Sequence, residues 1–198
     1  MRSTFRYSLA VLVMGVAGMV GLDSFAEDRC AGAAVAPALP AAMKDRDPEF
    51  IASACLSTEP EGQRLWIVGY DGPPGGFAIL ADKSGRVVSS VAFGLPESWT
   101  IKRTGSDVAV VVVEATTGTG TGVRQDDFHV LSVEHGHLKE IWRGLSYRRD
   151  SGPGDTHSTE SRYALRVDTA KEGREVILHR VRIGSAKRAE TTVIPLSR

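Results

Sequence analysis

Three histidines and two aspartates lie within a short stretch of the chain and have the side chains that could bind a metal ion: Asp126, Asp127, His129, His135 and His137. Zinc accepts both imidazole nitrogen and carboxylate oxygen. However, His135-Gly136 is typical of a two-residue hairpin turn, which would pair Glu134 with His137 and His129 with Trp142. His129 and His137 would then lie roughly 16 Å apart, at ~3.3 Å per residue along the strand. One ion cannot bind both, and we expect no metal site and no cofactor.

A Gly/Thr stretch at 116–122 is the second candidate, because the backbone N–H groups of such a segment can cradle an anion. A phosphate-binding loop needs a helix after the glycines, whereas here a strand pattern follows. We therefore expect a mobile loop that binds a partner. The residues predicted to take part are Thr119, Gly120, Thr121 and Arg124.

The longest polar stretch between predicted strands, residues 150–160, contains Asp155, His157 and serines. Asp, His and Ser are the ingredients of nucleophilic catalysis, but they are also common in any polar loop, and no Gly-x-Ser-x-Gly elbow is present. We predict a binding role for Asp155 and His157. A hydrolase that uses His157 or His129 with a nearby aspartate is the alternative.

Arginines recur in the C-terminal part of the chain, at Arg162, Arg166, Arg180 and Arg182. Even spacing within each pair suggests one shared face. Residues 143–198 hold 12 basic and 7 acidic residues, so this face, and Arg180 and Arg182 in particular, could bind an acidic protein or an anionic envelope component. An edge hairpin protected from aggregation by its charges is the other interpretation. The whole chain, with 24 basic and 24 acidic residues, does not indicate nucleic-acid binding.

The first 26 residues are typical of a secretory signal peptide, with Arg2 and Arg6 before an apolar stretch and Ser24-Phe25-Ala26 as the cleavage site. The apolar stretch, 9–22, has 14 residues, whereas a membrane span needs ~20. We expect a periplasmic or secreted protein with no membrane span after cleavage. In such a compartment, the chain's two cysteines, Cys30 and Cys55, are predicted to form a disulfide.

Residues 27–63 are predicted to form an extended tether and one short helix, which begins at Asp47-Pro48-Glu49 and ends near Leu56. Asp47 is a suitable N-cap, and Pro48 is favoured at the first helical position.

From residue 64 to 198 the pattern is β, with strands at 64–70, 77–81, 86–93, 107–115, 127–133 and 138–142, and with weaker ones around and after them. The valine run at 107–115 is apolar on both faces and predicts a central strand. The hairpins at Phe77 and Phe128 repeat 51 residues apart. This period is typical of propeller blades, although any two hairpins with a turn glycine would align as well.

The sequence therefore predicts an all-β, antiparallel meander that forms a β-sandwich, an open barrel or propeller-like units, with the short N-terminal helix attached. A fainter third copy of the hairpin runs from Tyr163 to Ile183. Three repeat units are fewer than a closed propeller needs, which favours a sandwich or open barrel. For function, the pattern favours a non-enzymatic binding module with an unknown protein or an anionic envelope component as partner. The alternatives are the hydrolase and a structural subunit of an envelope assembly.

Overall fold

The computed structural model describes residues 36–37, 39, 48–56, 62–70, 73–104, 107–120, 122–151, 158–184 and 189–196. This part of the chain forms strands β1 (Glu49–Cys55), β2 (Arg64–Gly69), β3 (Gly76–Ala81), β4 (Val87–Phe93), β5 (Leu95–Thr104), β6 (Asp107–Gly120), β7 (Val123–Glu134), β8 (His137–Asp150), β9 (Thr159–Ala170), β10 (Glu175–Ile183) and β11 (Ala189–Pro195). One turn of 3₁₀ helix, Lys171–Gly173, connects β9 to β10.

The strands form two sheets in which neighbours along the chain are also neighbours in space. A four-stranded sheet has the order β1-β2-β3-β4, and a seven-stranded sheet has the order β11-β10-β9-β8-β7-β6-β5. Every pair of neighbours is antiparallel. The predicted all-β, antiparallel meander is confirmed.

The two sheets share one apolar core. Leu65 and Leu80 of the four-stranded sheet pack in the same cluster as Val111, Val113 and Leu131 of the seven-stranded sheet, and all five are at most 1% exposed. Burying a side chain of this size contributes about 1.5–3 kcal/mol. The sheets therefore pack face to face as a β-sandwich, one of the arrangements that the sequence left open.

A second apolar layer covers the other face of the seven-stranded sheet. Val110 of β6 and Val130 of β7 pack with Val167 of β9 and Leu178 of β10. β9 pairs with β8 only from Tyr147↔Arg162 to Asp150↔Thr159. Past that point β9 packs with β10 across the outer face of β6 and β7. Val110, Val111 and Val113 of the valine run are thus fully buried on alternate faces of β6, which has β5 and β7 as its neighbours, as predicted for a central strand.

The predicted N-terminal helix is wrong, because Glu49–Cys55 forms strand β1. β1 pairs antiparallel with β2 from Glu49↔Gly69 to Cys55↔Arg64. All six residues of β2 are buried, so its outer backbone groups need a partner, and pairing with β1 provides one. This tertiary requirement outweighs the local capping signals of Pro48 and its neighbours, which act only within a helix. Asp47 lies outside the described residues.

Cys55 is 4% exposed, and no described cysteine is a free thiol. Cys30 lies outside the described residues, as do residues 1–26, so the disulfide and the signal peptide stay predictions. Among the described residues, no helix is long and apolar enough to cross a bilayer.

The β7–β8 hairpin turns at His135 and Gly136, which both have positive φ (50° and 76°), as a two-residue turn of this kind requires. The predicted pairing of Glu134 with His137 is confirmed. A bulge at Val130/Leu131 then shifts the register by one residue, so that His129 faces Arg143 instead of Trp142. The matching hairpin of the predicted repeat, β3–β4, is also formed. The repeat itself stays a prediction.

Gly94 is the only residue between β4 and β5, where the chain passes from one sheet to the other. A Cβ atom at Gly94 would lie 1.7 Å from the backbone oxygen of Thr116 in β6. This corner of the sandwich therefore brings two backbones closer than any side chain allows.

Replacing Gly94 with alanine is expected to destabilise the fold by about 1–3 kcal/mol or more, because the backbones at the corner must move apart. Gly120→Ala is the matched control, since a Cβ there meets nothing within 4 Å. It should change the free energy of unfolding by no more than about 1 kcal/mol. Denaturant unfolding of both variants measures the difference, and equal values would contradict the close approach at Gly94.

Candidate functional site

The two segments predicted to bind a partner begin side by side at one end of the seven-stranded sheet. The turn between β6 and β7 lies there, and so does the segment that follows β8. The backbone oxygen of Gly122 accepts hydrogen bonds from the Ser151 backbone N–H, at 2.6 Å, and from Ser151 Oγ, at 3.0 Å. Thr119 and Gly120 are exposed at the end of β6. Thr121, Asp155 and His157 lie outside the described residues.

The Gly/Thr stretch is mostly strand, which corrects the prediction of a mobile loop. β6 continues to Gly120, and β7 begins at Val123. Two threonines hold this extension to β7: Thr116 Oγ1 donates to Asp126 Oδ1 at 2.8 Å, and Thr117 Oγ1 donates to Asp127 Oδ2 at 3.0 Å. These cross-strand hydrogen bonds, together with the β-branched shape of threonine, offset the low strand preference of the glycines.

A polar groove of about 330 Å³ lies next to this end of the sheet. Its lining side chains come from five consecutive strands, β6 to β10: Glu114, Arg124, Asp126, Ser146, Tyr147, Arg162, Tyr163 and Ile183. Four of them form one cross-strand row, because Asp126 pairs with Tyr147, Tyr147 with Arg162, and Arg162 with Ile183. Residues directly opposite each other on neighbouring strands project from the same face, so strand register alone assembles this row.

Tyr147 lies at the centre of the groove between two arginines. The guanidinium carbon of Arg124 is 5.8 Å from the Tyr147 ring centroid, and that of Arg162 is 5.0 Å from it. Both distances allow a cation–π attraction, which limits the conformations of long side chains. The two guanidinium groups therefore lie against the Tyr147 ring, while their side chains stay 49% and 64% exposed.

Arg124 is occupied by carboxylates of its own chain. Its Nε donates to both oxygens of Asp126 at 3.2 Å, and its Nη2 donates to Glu97 Oε1 at 3.2 Å. The hydrogen bond to Asp126 and the charge of that carboxylate raise the pKa of Arg124 above its usual value. Asp126 is 5% exposed, so the Arg124–Asp126 pair forms a fixed wall of the groove. Arg124, a predicted binding residue, thus lines the site with its Nε and Nη2 engaged by carboxylates.

Arg162 differs from Arg124 because neither of its terminal nitrogens has a described acceptor. Its Nε donates to Glu160 Oε1 at 3.0 Å, and no described residue accepts a hydrogen bond from Nη1 or Nη2. Ser146 is also incompletely bonded, because its Oγ is buried without a hydrogen-bond partner among the described residues. The residue is 2% exposed. A buried hydroxyl left unpaired costs free energy, and a bound molecule that pairs with it removes that cost.

Comparisons with protein-family models, with curated proteins and with solved structures found no match to this chain. What the groove can bind follows from its own side chains.

His129 is a buried core residue. It is 1% exposed, its Nδ1 lies 2.6 Å from Glu140 Oε1, and its ring centroid lies 5.6 Å from that of Phe93. It pairs in register with Arg143, far along the hairpin from the Glu134↔His137 pair. No group of three potential metal ligands occurs in the described part of the chain. His129 is not among the side chains that line the groove.

The predicted row of four arginines is wrong, because the register divides it between two faces. Arg162 pairs with Ile183, and Arg182 pairs with Tyr163. In this antiparallel pair, even-numbered residues of β9 face odd-numbered residues of β10, so even spacing does not imply a shared face across strands. Arg162 and Arg166 therefore project from one side of the hairpin, and Arg180 and Arg182 from the other.

Arg180 and Arg182 contact their own chain. Arg180 Nη2 donates to Glu190 at 2.6 Å, and its guanidinium carbon lies 4.8 Å from the Tyr163 ring centroid. Arg182 Nη2 donates to Ser161 Oγ at 2.9 Å. Arg180 therefore supports Tyr163, one of the groove residues, and its Nε and Nη2 are already engaged by Glu190.

Sequence reasoning predicted binding at Arg124 and, as part of the arginine face, at Arg162, but not at the other groove residues. Ser146, Tyr147 and Tyr163 were interpreted as strand residues. The sequence signal for a binding role of these residues was weak. It consists of the triplet Ser146-Tyr147-Arg148 shortly before the longest polar connection. Only the pairing of β8 with β9 shows that Tyr147 and Arg162 meet.

On the opposite face of β7, Asp127 is 4% exposed and bound by Arg143, whose Nε and Nη2 donate to Oδ2 at 3.0 and 2.6 Å. Burial alone would raise the pKa of Asp127, but the hydrogen bonds from Arg143 and Thr117 outweigh burial and lower it below its usual 3.8. A carboxylate with a lowered pKa stabilises the fold at neutral pH. That contribution is lost as the pH falls through the lowered pKa.

Arg143→Gln is expected to reduce the free energy of unfolding at pH 7 by about 1–3 kcal/mol, because it leaves a buried carboxylate without its charged partner. The difference from wild type should shrink as the pH falls below 3.8 and through the lowered pKa of Asp127, because the carboxylate is then protonated. Arg148→Gln is the matched control, because its partner Asp150 is 40% exposed on the side chain, and it should destabilise the fold less than Arg143→Gln does. Urea unfolding from pH 2 to 7 measures both, and a pH-independent deficit for Arg143→Gln would contradict the assignment.

Proposed function

We propose that this protein is an exported, non-enzymatic binding module whose ligand occupies the groove formed by β6 to β10. The buried, unpaired Ser146 Oγ in a groove that also holds spare guanidinium donors is the observation that carries the proposal. A binding site typically combines a concavity with a few convergent polar groups that lack partners inside the protein. Export rests on the pattern of residues 1–26.

The location of the groove supports a role for the two predicted segments. Arg124 belongs to both the predicted set and the groove, and Gly122 contacts Ser151 at the same end of the sheet. A ligand in the groove would lie next to the beginnings of both segments. An unknown protein or an anionic envelope component, the partners expected from the sequence, would approach at this end.

The described histidines give the hydrolase alternative little support. His129, at 1% exposure, does not reach the groove, and the carboxylate that it contacts is Glu140 rather than an aspartate. General acid–base catalysis needs a side chain within hydrogen-bond reach of the substrate. His157 lies outside the described residues.

A ligand screen by thermal unfolding tests the proposal. The panel contains neutral and acidic oligosaccharides, acidic and basic peptides, and nucleotides. At 100 times its Kd a ligand stabilises the folded state by about 2.7 kcal/mol. We expect at least one class to raise the Tm of the wild type by roughly 5–10 °C.

Tyr147→Ala should abolish this shift, each variant being compared with its own unliganded Tm. Leu145→Ala, on the same strand but paired with Asp127 on the opposite face, is the control and should retain it. The proposal is contradicted if no class stabilises the wild type or if Tyr147→Ala responds normally. Mass spectrometry of the incubated panel distinguishes the alternatives, because a hydrolase would release products.

A structural subunit of an envelope assembly is the second candidate, supported by the open edge at β11. Among the described strands, β11 has β10 as its single partner, and Val193 on it is 54% exposed. An unprotected edge can pair with another strand.

If β11 mediates assembly, light scattering should give a multiple of the 21.2 kDa chain mass, less any residues removed on export. Val193→Lys should then return the protein to a monomer, because it replaces the exposed apolar side chain of this edge with a charge. Thr192→Lys, the neighbouring exposed position, would place its charge on the opposite face of β11 as a control for added charge. A wild-type monomer at all concentrations would contradict this candidate.

A further inference from the structure

The groove holds a particular combination of groups: one guanidinium with free donors, an unpaired hydroxyl, two carboxylates and two tyrosines. From this set we propose that its ligand is a saccharide unit that carries a carboxylate, such as a uronic acid residue. The inference rests on the proposed function and specifies the ligand class for the same groove.

Arg162 is the group that would bind the carboxylate. Its Nη1 and Nη2 are free of described partners, and the Tyr147 ring, 5.0 Å away, restricts its position. A guanidinium offers two parallel N–H groups that match the two oxygens of a carboxylate. Arg124 does not compete for this role, because Asp126 and Glu97 occupy it.

The remaining polar groups fit sugar hydroxyls. Glu114 Oε2 accepts a hydrogen bond from Ser98 Oγ at 3.1 Å, whereas no described residue donates to its Oε1. Ser146 Oγ can donate or accept. A sugar hydroxyl can donate to Glu114 Oε1 and pair with Ser146 Oγ, which would satisfy both atoms.

The charge balance limits the ligand to few negative charges. The lining contains two arginines, Arg124 and Arg162, and two carboxylates, Glu114 and Asp126. A densely charged polyanion would meet repulsion from the carboxylates as well as attraction from the arginines. A unit with one carboxylate and several hydroxyls is complementary to this mixture.

Strand pairing argues against an extended peptide in the same groove. At the cross-strand row, β8 pairs with both β7 and β9, and β9 pairs with both β8 and β10. An extended peptide obtains much of its affinity from the backbone groups of an open sheet edge. Here those backbone groups are already paired, and only side chains face the groove. Its volume of about 330 Å³ lies at the lower end of the usual range for ligand sites and fits one or two sugar rings.

Isothermal titration calorimetry of the full exported chain tests the inference with three probes: a trisaccharide of galacturonic acid, a trisaccharide of galactose, and an Asp-containing tripeptide. The acidic trisaccharide should bind, and the neutral one should bind about tenfold or more weakly, since it lacks the charge-assisted hydrogen bonds. Free galacturonic acid, as a fourth arm, shows whether a single unit is sufficient.

Arg162→Gln should weaken binding of the acidic trisaccharide about tenfold or more, and Ser146→Ala should also weaken it. Arg166→Gln is the matched control, because Arg166 lies on the same strand, is 78% exposed on its side chain, and pairs through Nε with an acidic residue two positions away, as Arg162 does. It does not line the groove and should retain wild-type affinity.

The outcomes separate this inference from the proposed function. Equal binding of acidic and neutral trisaccharides, or an Arg162→Gln variant that binds normally, overturns the carboxylate assignment. Binding of the tripeptide alone, lost in Tyr147→Ala, overturns the saccharide class while the proposed binding module stands. If none of the probes binds but the screen finds another class that depends on Tyr147, only the inference fails.

Discussion

Burial of the valine-rich centre of β6 on both faces is the constraint on which the rest of the structure depends. Val111 and Val113 pack against the four-stranded sheet, while Val110 packs against β9 and β10. A strand with no wet face needs a protein layer on each side, so two sheets alone are not sufficient. The departure of β9 from β8 supplies the second layer. Because hydrophobic burial is the main favourable term in folding, this three-layer arrangement follows from a single run of valines.

The groove is a consequence of the same arrangement. β9 must pair with β8 for a few residues and then cross the outer face of the sheet. The short paired region brings Arg162 opposite Tyr147, and the crossing places Tyr163 beside Arg180. Polar side chains collect where the apolar layer ends, and the register of five strands determines which of them meet. Strand pairing therefore builds the described part of the site, whose lining residues all lie in strands.

The contrast between Arg124 and Arg162 shows how similar residues acquire different roles. Arg124 neutralises the buried carboxylate of Asp126 and forms part of the wall. Arg162 pairs through one nitrogen with Glu160, which leaves its terminal donors for a ligand. Asp127, on the other face of β7, forms an ion pair with Arg143, as Asp126 does with Arg124. Two adjacent aspartates with nearly no exposure are thus each compensated by an arginine, as buried charges require.

By itself, the sequence determined the all-β class, the central position of the valine run and the turn at His135-Gly136, because hydrophobic period and turn chemistry are local properties. It predicted a helix from Asp47-Pro48-Glu49 to about Leu56 and a loop at 116–122, since capping residues and glycines are also local signals. In both places pairing with a neighbouring strand prevailed. It placed four arginines on one face, because the sequence of either strand alone does not determine the register between the two strands. Only the tertiary structure decided that Tyr147, Arg162 and Ser146 line one groove. The physical reason is that these side chains meet through pairing and crossing of strands distant in sequence, which depend on how the whole apolar surface is buried.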